Sequence, residues 1–320
     1  MKSALVLGAT GQDGSLMCKS LLRQNYKVIG FSRSIGNNAP NHKKLGIEKE
    51  VEMRSGNIQD FEIVEALIEK NMPDEIYNLA AQSSVGKSFS NPLETTQSII
   101  DGTINILEVS KKTKFSGKLF FAGSSEIFGL TEKGATIDHV QRPKNPYGIA
   151  KQASMNLVKM YRNNEGLKCV TGVLFNHESS LRDHRFVTQK IISGAIKCKS
   201  NNNLKIKLGN INVERDWGCA EEYVEAIQKM TRAKNTEDQV ICTGKATKLK
   251  DFINIVFKTL NLNWQDHIVI DEMLFRKAEI LKSFGNPAKM YNDHNWKAKV
   301  TLEDLICKII DDNLKNQINN

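Results

Sequence analysis

No apolar run in this chain approaches the roughly 18 residues that a membrane-spanning helix needs. The one apolar stretch near the start, Ala4-Leu5-Val6-Leu7, gives way at once to a glycine-rich segment. Neither a bilayer anchor nor a secretory leader is expected. The six cysteines (Cys18, Cys169, Cys198, Cys219, Cys242, Cys307) form no close pair and no metal-ligand spacing, and the six histidines are equally scattered. That argues against a disulfide scaffold and a zinc site, and makes a reducing cytoplasm the expected compartment. Internal repeats and low-complexity linkers are also missing. The net charge of +9 has no aromatic interleaving and no nucleic-acid motif behind it, since lysines and asparagines are spread out, as in 197–203 and 315–320. Such charge reads as solvated surface, a minor share of it favouring an anionic nucleotide rather than nucleic acid.

What the chain does have begins at residue 4. With 320 residues, 40% hydrophobic and 25% charged, it can form a nucleotide-binding domain and a smaller second lobe. The run Ala4–Leu7 leads into Gly8-Ala9-Thr10-Gly11-Gln12-Asp13-Gly14, and a helical stretch, 15–23, follows. Gly8 permits a tight turn off a strand, Gly11 admits a pyrophosphate to the backbone, and Gly14 lets the helix pack closely on the sheet. The helix N-terminus then offers N–H groups to phosphate. A second strand, 27–31, completes the spacing of a βαβ unit.

Strand patterns at 51–54, 75–79, 118–122 and 169–174 alternate with helical ones at 61–70, 93–112 and 147–163. This alternation predicts an α/β fold, a doubly wound parallel sheet of Rossmann type, over residues 1–175. Beyond 175 the rhythm loosens. Helices are expected near 186–200, 220–231, 249–260 and 302–316, in a smaller, mixed lobe spanning 176–320. Part of the stretch 210–245, such as 239–242, is expected to return to the main sheet. The segment 34–49 is long, polar and unreadable.

Two features carry chemistry. After the strand ending at Ala122 come Gly123-Ser124-Ser125-Glu126, and behind Pro146 stands Tyr147-Gly148-Ile149-Ala150-Lys151. Tyr and Lys at i and i+4 share a helix face, so the ammonium is expected to lower the phenol pKa, while the Ser124 hydroxyl bonds the same substrate oxygen. Such a set deprotonates a sugar hydroxyl as a nicotinamide takes hydride from its carbon. At the end of the second strand, Phe31-Ser32-Arg33 lacks the acid that grips the ribose of NAD and offers an arginine instead. That favours the 2′-phosphate of NADP over NAD.

The glycine turn and the Ser…Tyr-x-x-x-Lys set resemble the extended short-chain dehydrogenase/reductase family. Gly11–Gly14, Asn78-Leu79-Ala80-Ala81-Gln82-Ser83, Phe175–Ser179, Phe186-Val187-Thr188, Arg215–Gly218 and Phe275-Arg276 with Glu279 are similar to the GDP-mannose 4,6-dehydratase family within it. The resemblance implies that Tyr147, Lys151 and Ser124 oxidise carbon 4 of a GDP-sugar, and that Glu126 then takes the carbon 5 proton and expels the 6-hydroxyl as water. It places Thr10, Gln12, Asp13, Asn57, Ile58, Leu79, Ala80, Ala81, Ser83, His177 and Arg182 at the cofactor, beside the glycines, Arg33, Tyr147 and Lys151. It places Ser83, Ser125, Glu126, Asn176, Thr188, Lys190, Arg215, Arg276 and Glu279 at the substrate, the two arginines on the diphosphate and Glu279 on guanine. It also implies a homodimer or homotetramer.

Departures from the family pattern are Ser124 for Thr, Asn57 for Asp, Glu94 where a cofactor-contacting Tyr is common, and Ser34 for the second Arg of a pair that helps build the oligomer interface. GDP-mannose and a GDP-heptose both remain open as substrate. A reductase or 4-epimerase would have no use for Glu126, and a silent NADP-sensing regulator would have little use for Ser124, Tyr147 and Lys151 together.

Overall fold

The computed structural model describes residues 1–33, 39–276 and 278–318. Ser34, and with it the oligomer argument resting on that position, lies outside the described residues. Along the chain run β1 (Ser3–Leu7), α1 (Gln12–Leu22), β2 (Lys27–Ser32), α2 (Pro40–Leu45), β3 (Glu52–Ser55), α3 (Phe61–Asn71), β4 (Glu75–Asn78), α4 (Val85–Ser90), α5 (Pro92–Lys112), β5 (Lys118–Ser124), α6 (Pro146–Glu165) and β6 (Cys169–Leu174). There follow β7 (Asn176–Glu178), α7 (Val187–Cys198), β8 (Ile206–Leu208), β9 (Glu214–Arg215), β10 (Trp217–Cys219), α8 (Ala220–Arg232) and β11 (Gln239–Ile241). The last are β12 (Thr247–Lys248), α9 (Leu249–Thr259), β13 (Ile268–Ile270), β14 (Lys282–Ser283), α10 (Ala288–His294) and α11 (Leu302–Ile318).

Seven strands form one sheet in the order β11-β6-β5-β4-β1-β2-β3, every neighbouring pair parallel. The side chains of β1 show why both faces are covered. Leu5 and Leu7 join Ile29, Phe31, Ile106 and Val158 in one apolar layer, whereas Ala4 and Val6 join Met17, Tyr223 and Val224 in the other. Strands buried on both sides need such runs of apolar residues, and helices supply the cover. The doubly wound fold class is the one expected.

Chain order reverses between β1 and β4, and ligands bind at the carboxyl ends of strands beside such a switch point. Short β7, β9, β10, β12 and β14 gather there, and a third apolar cluster, with Ile192 of α7, Phe252 of α9 and Ile306 of α11, stands behind them. The short helix α2 emerges from the stretch that sequence left unread. Its His42 is fully buried with Nε2 2.8 Å from the Ala9 carbonyl, and Asn41 donates to the Thr10 carbonyl at 3.2 Å. Among the described residues no helix is long and apolar enough to cross a membrane. Among them also, no group of three or more His, Cys, Asp or Glu is placed to hold a metal ion.

Candidate active site

Two adjoining cavities open above the switch point. The first, about 690 Å³, is lined by the Gly8–Gly14 turn, Arg33, Asn57, Ile58, Leu79, Ala80, Ala81, Ser83 and Arg182. Every residue that the sequence assigned to the cofactor lies here except Tyr147, Lys151 and His177, which line the second cavity. The turn is shaped for close approach. Gly8 has φ +81°, and a Cβ on Gly14 would stand 2.1 Å from the Gly8 carbonyl oxygen. At Gly11 a Cβ would meet only that same oxygen, at 3.3 Å, so this glycine keeps the cavity floor open. No side chain caps α1, and its first-turn N–H groups are left for an anion. These residues fit a dinucleotide.

Beside the turn, Asp13 and His177 form an ion pair with Nε2 2.9 Å from the carboxylate, while Nδ1 lies 2.7 Å from the Phe175 carbonyl. Burial would raise the Asp13 carboxyl, but the imidazole charge and hydrogen bond outweigh it and hold the group at about 2. Burial likewise works against the charged imidazole, and Asp13 overrides it, raising the His177 pKa.

The second cavity, about 400 Å³, brings together Ser124, Ser125, Glu126, Tyr147 and Lys151 with Ser83, Asn176, Thr188, Lys190, Arg215, Arg276 and Glu279. Ser124 ends β5, and Glu126 follows in a single 3₁₀ turn whose amide donates to the Ser124 hydroxyl at 3.3 Å. Tyr147 and Lys151 ride on α6, which starts cleanly because Asn145 caps it and Pro146 takes its first position. Asn145 also donates through Nδ2 to Glu126 Oε2 at 2.7 Å.

The charge states of the pair need correcting. Sequence spacing leads one to expect a lysine-activated, acidified phenol. Instead burial pushes the Tyr147 phenol up to about 12, with the Ser124 hydroxyl pulling the other way, and burial brings Lys151 down to about 7. Burial decides both, and Lys151 Nζ, which donates to the Ala122 carbonyl at 2.6 Å, lies 5.8 Å from the Tyr147 ring centroid.

Substrate-side residues are also already partnered. Arg215 Nη2 lies 3.4 Å from Glu279 Oε1, bringing the two groups assigned to opposite ends of the nucleotide into one ion pair. Burial lowers the Arg215 guanidinium, and Glu126 opposes that. Thr188 donates to Glu178 Oε2 at 2.7 Å, and Lys190 donates to the Lys207 carbonyl at 2.7 Å. Arg276 reaches the cavity from the segment after β13. At the cofactor end, Arg33 is exposed and lies 3.8 Å from Glu94, the residue noted above as unusual.

Asn145 and Asn41 escape a motif reading, and Glu178, though inside the Phe175–Ser179 segment, is assigned no role there. Asn145 before Pro146 carries a legible capping signal, but its second bond, to Glu126, does not show in sequence. Glu178 is buried, bonded to Thr188 and 3.4 Å from Arg182, and so touches both cavities through its partners.

A dinucleotide turn at a topological switch point, with Ser, Tyr and Lys converging beside it, defines a short-chain dehydrogenase/reductase-type enzyme. The family model described as GDP-mannose 4,6 dehydratase matches residues 5–309. The chain is 34% identical to GDP-mannose 4,6 dehydratase 1 of Arabidopsis thaliana, over 98% of this chain and 90% of that protein. It is 30% identical to GDP-mannose 4,6-dehydratase of Vibrio cholerae, over 98% and 94%. The chain belongs to the GDP-mannose 4,6-dehydratase family, whose members are lyases that convert GDP-mannose to a 4-keto-6-deoxy product. Solved structures of the same fold include dTDP-glucose 4,6-dehydratase of Bacillus anthracis in complex with NAD, with TM-score 0.86 and 21% identity over 99% of this chain and 98% of that one. UDP-glucose 4-epimerase of Thermotoga maritima superimposes with TM-score 0.88 and 20% identity, over 98% and 99%.

Proposed function

We propose that this enzyme dehydrates GDP-mannose with NADP as cofactor. On this reading residues 1–175, with the segment 210–245, hold the cofactor and residues 176–320 hold mainly the nucleotide sugar. The observation that carries the reading is Glu126, a carboxylate in the same cavity as Ser124, Tyr147 and Lys151 and held there by Asn145.

The glycine turn and the α1 N-terminus bind the pyrophosphate, and Arg33 binds the 2′-phosphate. A bound nicotinamide would supply the hydride acceptor for oxidation at carbon 4 and the hydride donor for reduction at carbon 6. Tyr147 takes the proton of the 4-hydroxyl, with Ser124 donating to the same oxygen. For that step Lys151 has to share its proton with the phenol or the cofactor ribose rather than with the Ala122 carbonyl alone. The new 4-keto group acidifies carbon 5. Glu126 takes that proton and hands it to the 6-hydroxyl, which departs as water; the proton that Tyr147 took from the 4-hydroxyl, exchanged through solvent, replaces it at carbon 5 when carbon 6 is reduced. Water leaves, and no net oxidation occurs. Arg215 and Arg276 grip the diphosphate, while Glu279 turns from Arg215 toward the N1 and amino protons of guanine.

The departure at Glu94 bears on NADP, because a carboxylate 3.8 Å from Arg33 competes with the phosphate for it. A cytoplasmic homo-oligomer completes the reading, in keeping with free cysteines and with exposed Leu93 on α5 and Ile149 and Met160 on α6. Incubation with GDP-mannose and other GDP-sugars, followed by mass analysis, tests it. Loss of one water from GDP-mannose supports the reading, and unchanged mass for every sugar sinks it.

A further inference from the structure

We infer that Asn145 is a positioning residue for water elimination, aiming the Glu126 carboxylate as well as capping the helix that carries Tyr147. The side chain is buried, with 3% of its surface exposed. It is used at both ends. Its Oδ1 accepts from the Gly148 amide at 2.8 Å, which closes the first turn of α6. Its Nδ2 donates to Glu126 Oε2 at 2.7 Å. Among the described residues, the other carboxylate oxygen, Oε1, accepts no hydrogen bond, and Glu126 lines the substrate cavity. One oxygen is thus anchored while the other is left for the sugar.

The cap alone does not demand asparagine. Serine and aspartate serve about as well, because an N-cap needs only an acceptor. The donor aimed at Glu126 is what a cap does not require. The backbones of the two elements also approach closely, since a Cβ on Gly148 would lie 2.7 Å from the Glu126 carbonyl oxygen. Asn145 therefore joins the group that oxidises carbon 4 to the group that deprotonates carbon 5 through one amide. A carboxylate that loses this anchor can rotate away from carbon 5, and misplacement of a reacting group by about 1 Å costs up to ~100-fold in rate. The inference rests on the dehydratase reading of Glu126.

The test uses Asn145→Ser and Asn145→Asp, both of which keep a capping acceptor, with GDP-mannose in deuterated water. The expected result is a loss of water release and of deuterium entry at carbon 5 by roughly 10- to 100-fold. The KM for GDP-mannose stays near that of the parent, oxidation at carbon 4 persists as accumulated reduced nicotinamide, and the melting temperature holds. Parental turnover in either variant would show that Asn145 only caps the helix and would overturn the inference. Equal loss of carbon 4 oxidation and water release would overturn it too, since the effect would then run through Tyr147. Should Asn145→Ser fail to fold, Asn145→Asp decides alone, because it caps about as well and also removes the donor. A parent protein that releases no water from any GDP-sugar overturns the dehydratase reading itself, an outcome distinct from an active parent with an indifferent Asn145.

Discussion

His177 and Asp13 pair across the two parts of the site, with Nε2 2.9 Å from the carboxylate, so that the strand after β6 is fastened to the glycine turn. The other ring nitrogen faces the Phe175 carbonyl at 2.7 Å, and the ring stacks on Tyr223 with centroids 4.7 Å apart. Both nitrogens therefore face acceptors, which suits an imidazolium.

A pH dependence of stability follows. The folded pKa of His177 is raised above 6.5, so its contribution is complete below 6.5 and is lost as pH rises through the folded value. Asp13 is lowered from 3.8 to about 2, so its contribution is present above 3.8 and is lost as pH falls toward 2. The melting temperature should decline as pH rises from 6.5 into the alkaline range, and His177→Asn should remove that decline. Parallel slopes in parent and variant would exclude the pair as its source.

The glycines of the turn should separate folding from binding. Gly14→Ala drives a methyl to within 2.1 Å of the Gly8 carbonyl oxygen, and the cost should be about 3 kcal/mol of stability. Gly11→Ala meets that oxygen only at 3.3 Å, on the cavity side, and should stay folded while losing dinucleotide affinity. Denaturant unfolding with a cofactor titration checks both. Equal loss of stability in the two variants would contradict the division.

Arg33→Ala should weaken NADPH binding by roughly tenfold, the scale of about 1.4 kcal/mol, and leave NADH nearly unchanged. Equal affinity of the parent for the two cofactors would remove the case for NADP. Because Glu94 lies 3.8 Å from Arg33, Glu94→Gln should move the preference the other way, toward NADPH.

Tyr147→Phe should abolish turnover, by about 10²- to 10⁴-fold, while nucleotide binding persists because the buried ring still fills its place. Isothermal titration beside a turnover assay distinguishes this from simple misfolding. Near-normal turnover would take Tyr147 out of the mechanism.

Local chemistry explains which parts of the molecule are legible in sequence. The strand–glycine–helix unit at Leu7–Gly14 and the Tyr147–Lys151 spacing are written in consecutive residues, and the structure gathers them at the switch point. Helix α2 is not legible, because what fixes it is distant in sequence. His42 reaches the carbonyl of Ala9, and Asn41 reaches that of Leu181 at 3.4 Å. The charge states of Tyr147 and Lys151 are hidden for another reason, since i, i+4 spacing reports proximity but not burial, and burial decides here. The bond from Asn145 to Glu126 spans 19 residues and depends on how β5 meets α6. No pattern within either segment contains it.

The central claim, that Glu126 drives elimination, is tested most directly by single-turnover analysis of Glu126→Gln with GDP-mannose. The amide can neither take the carbon 5 proton nor deliver one to the 6-hydroxyl, whereas Ser124, Tyr147 and Lys151 remain in the cavity. The expected result is water loss reduced by about 10²- to 10⁴-fold, with carbon 4 still oxidised and reduced nicotinamide accumulating. Water loss at the parental rate would contradict the account.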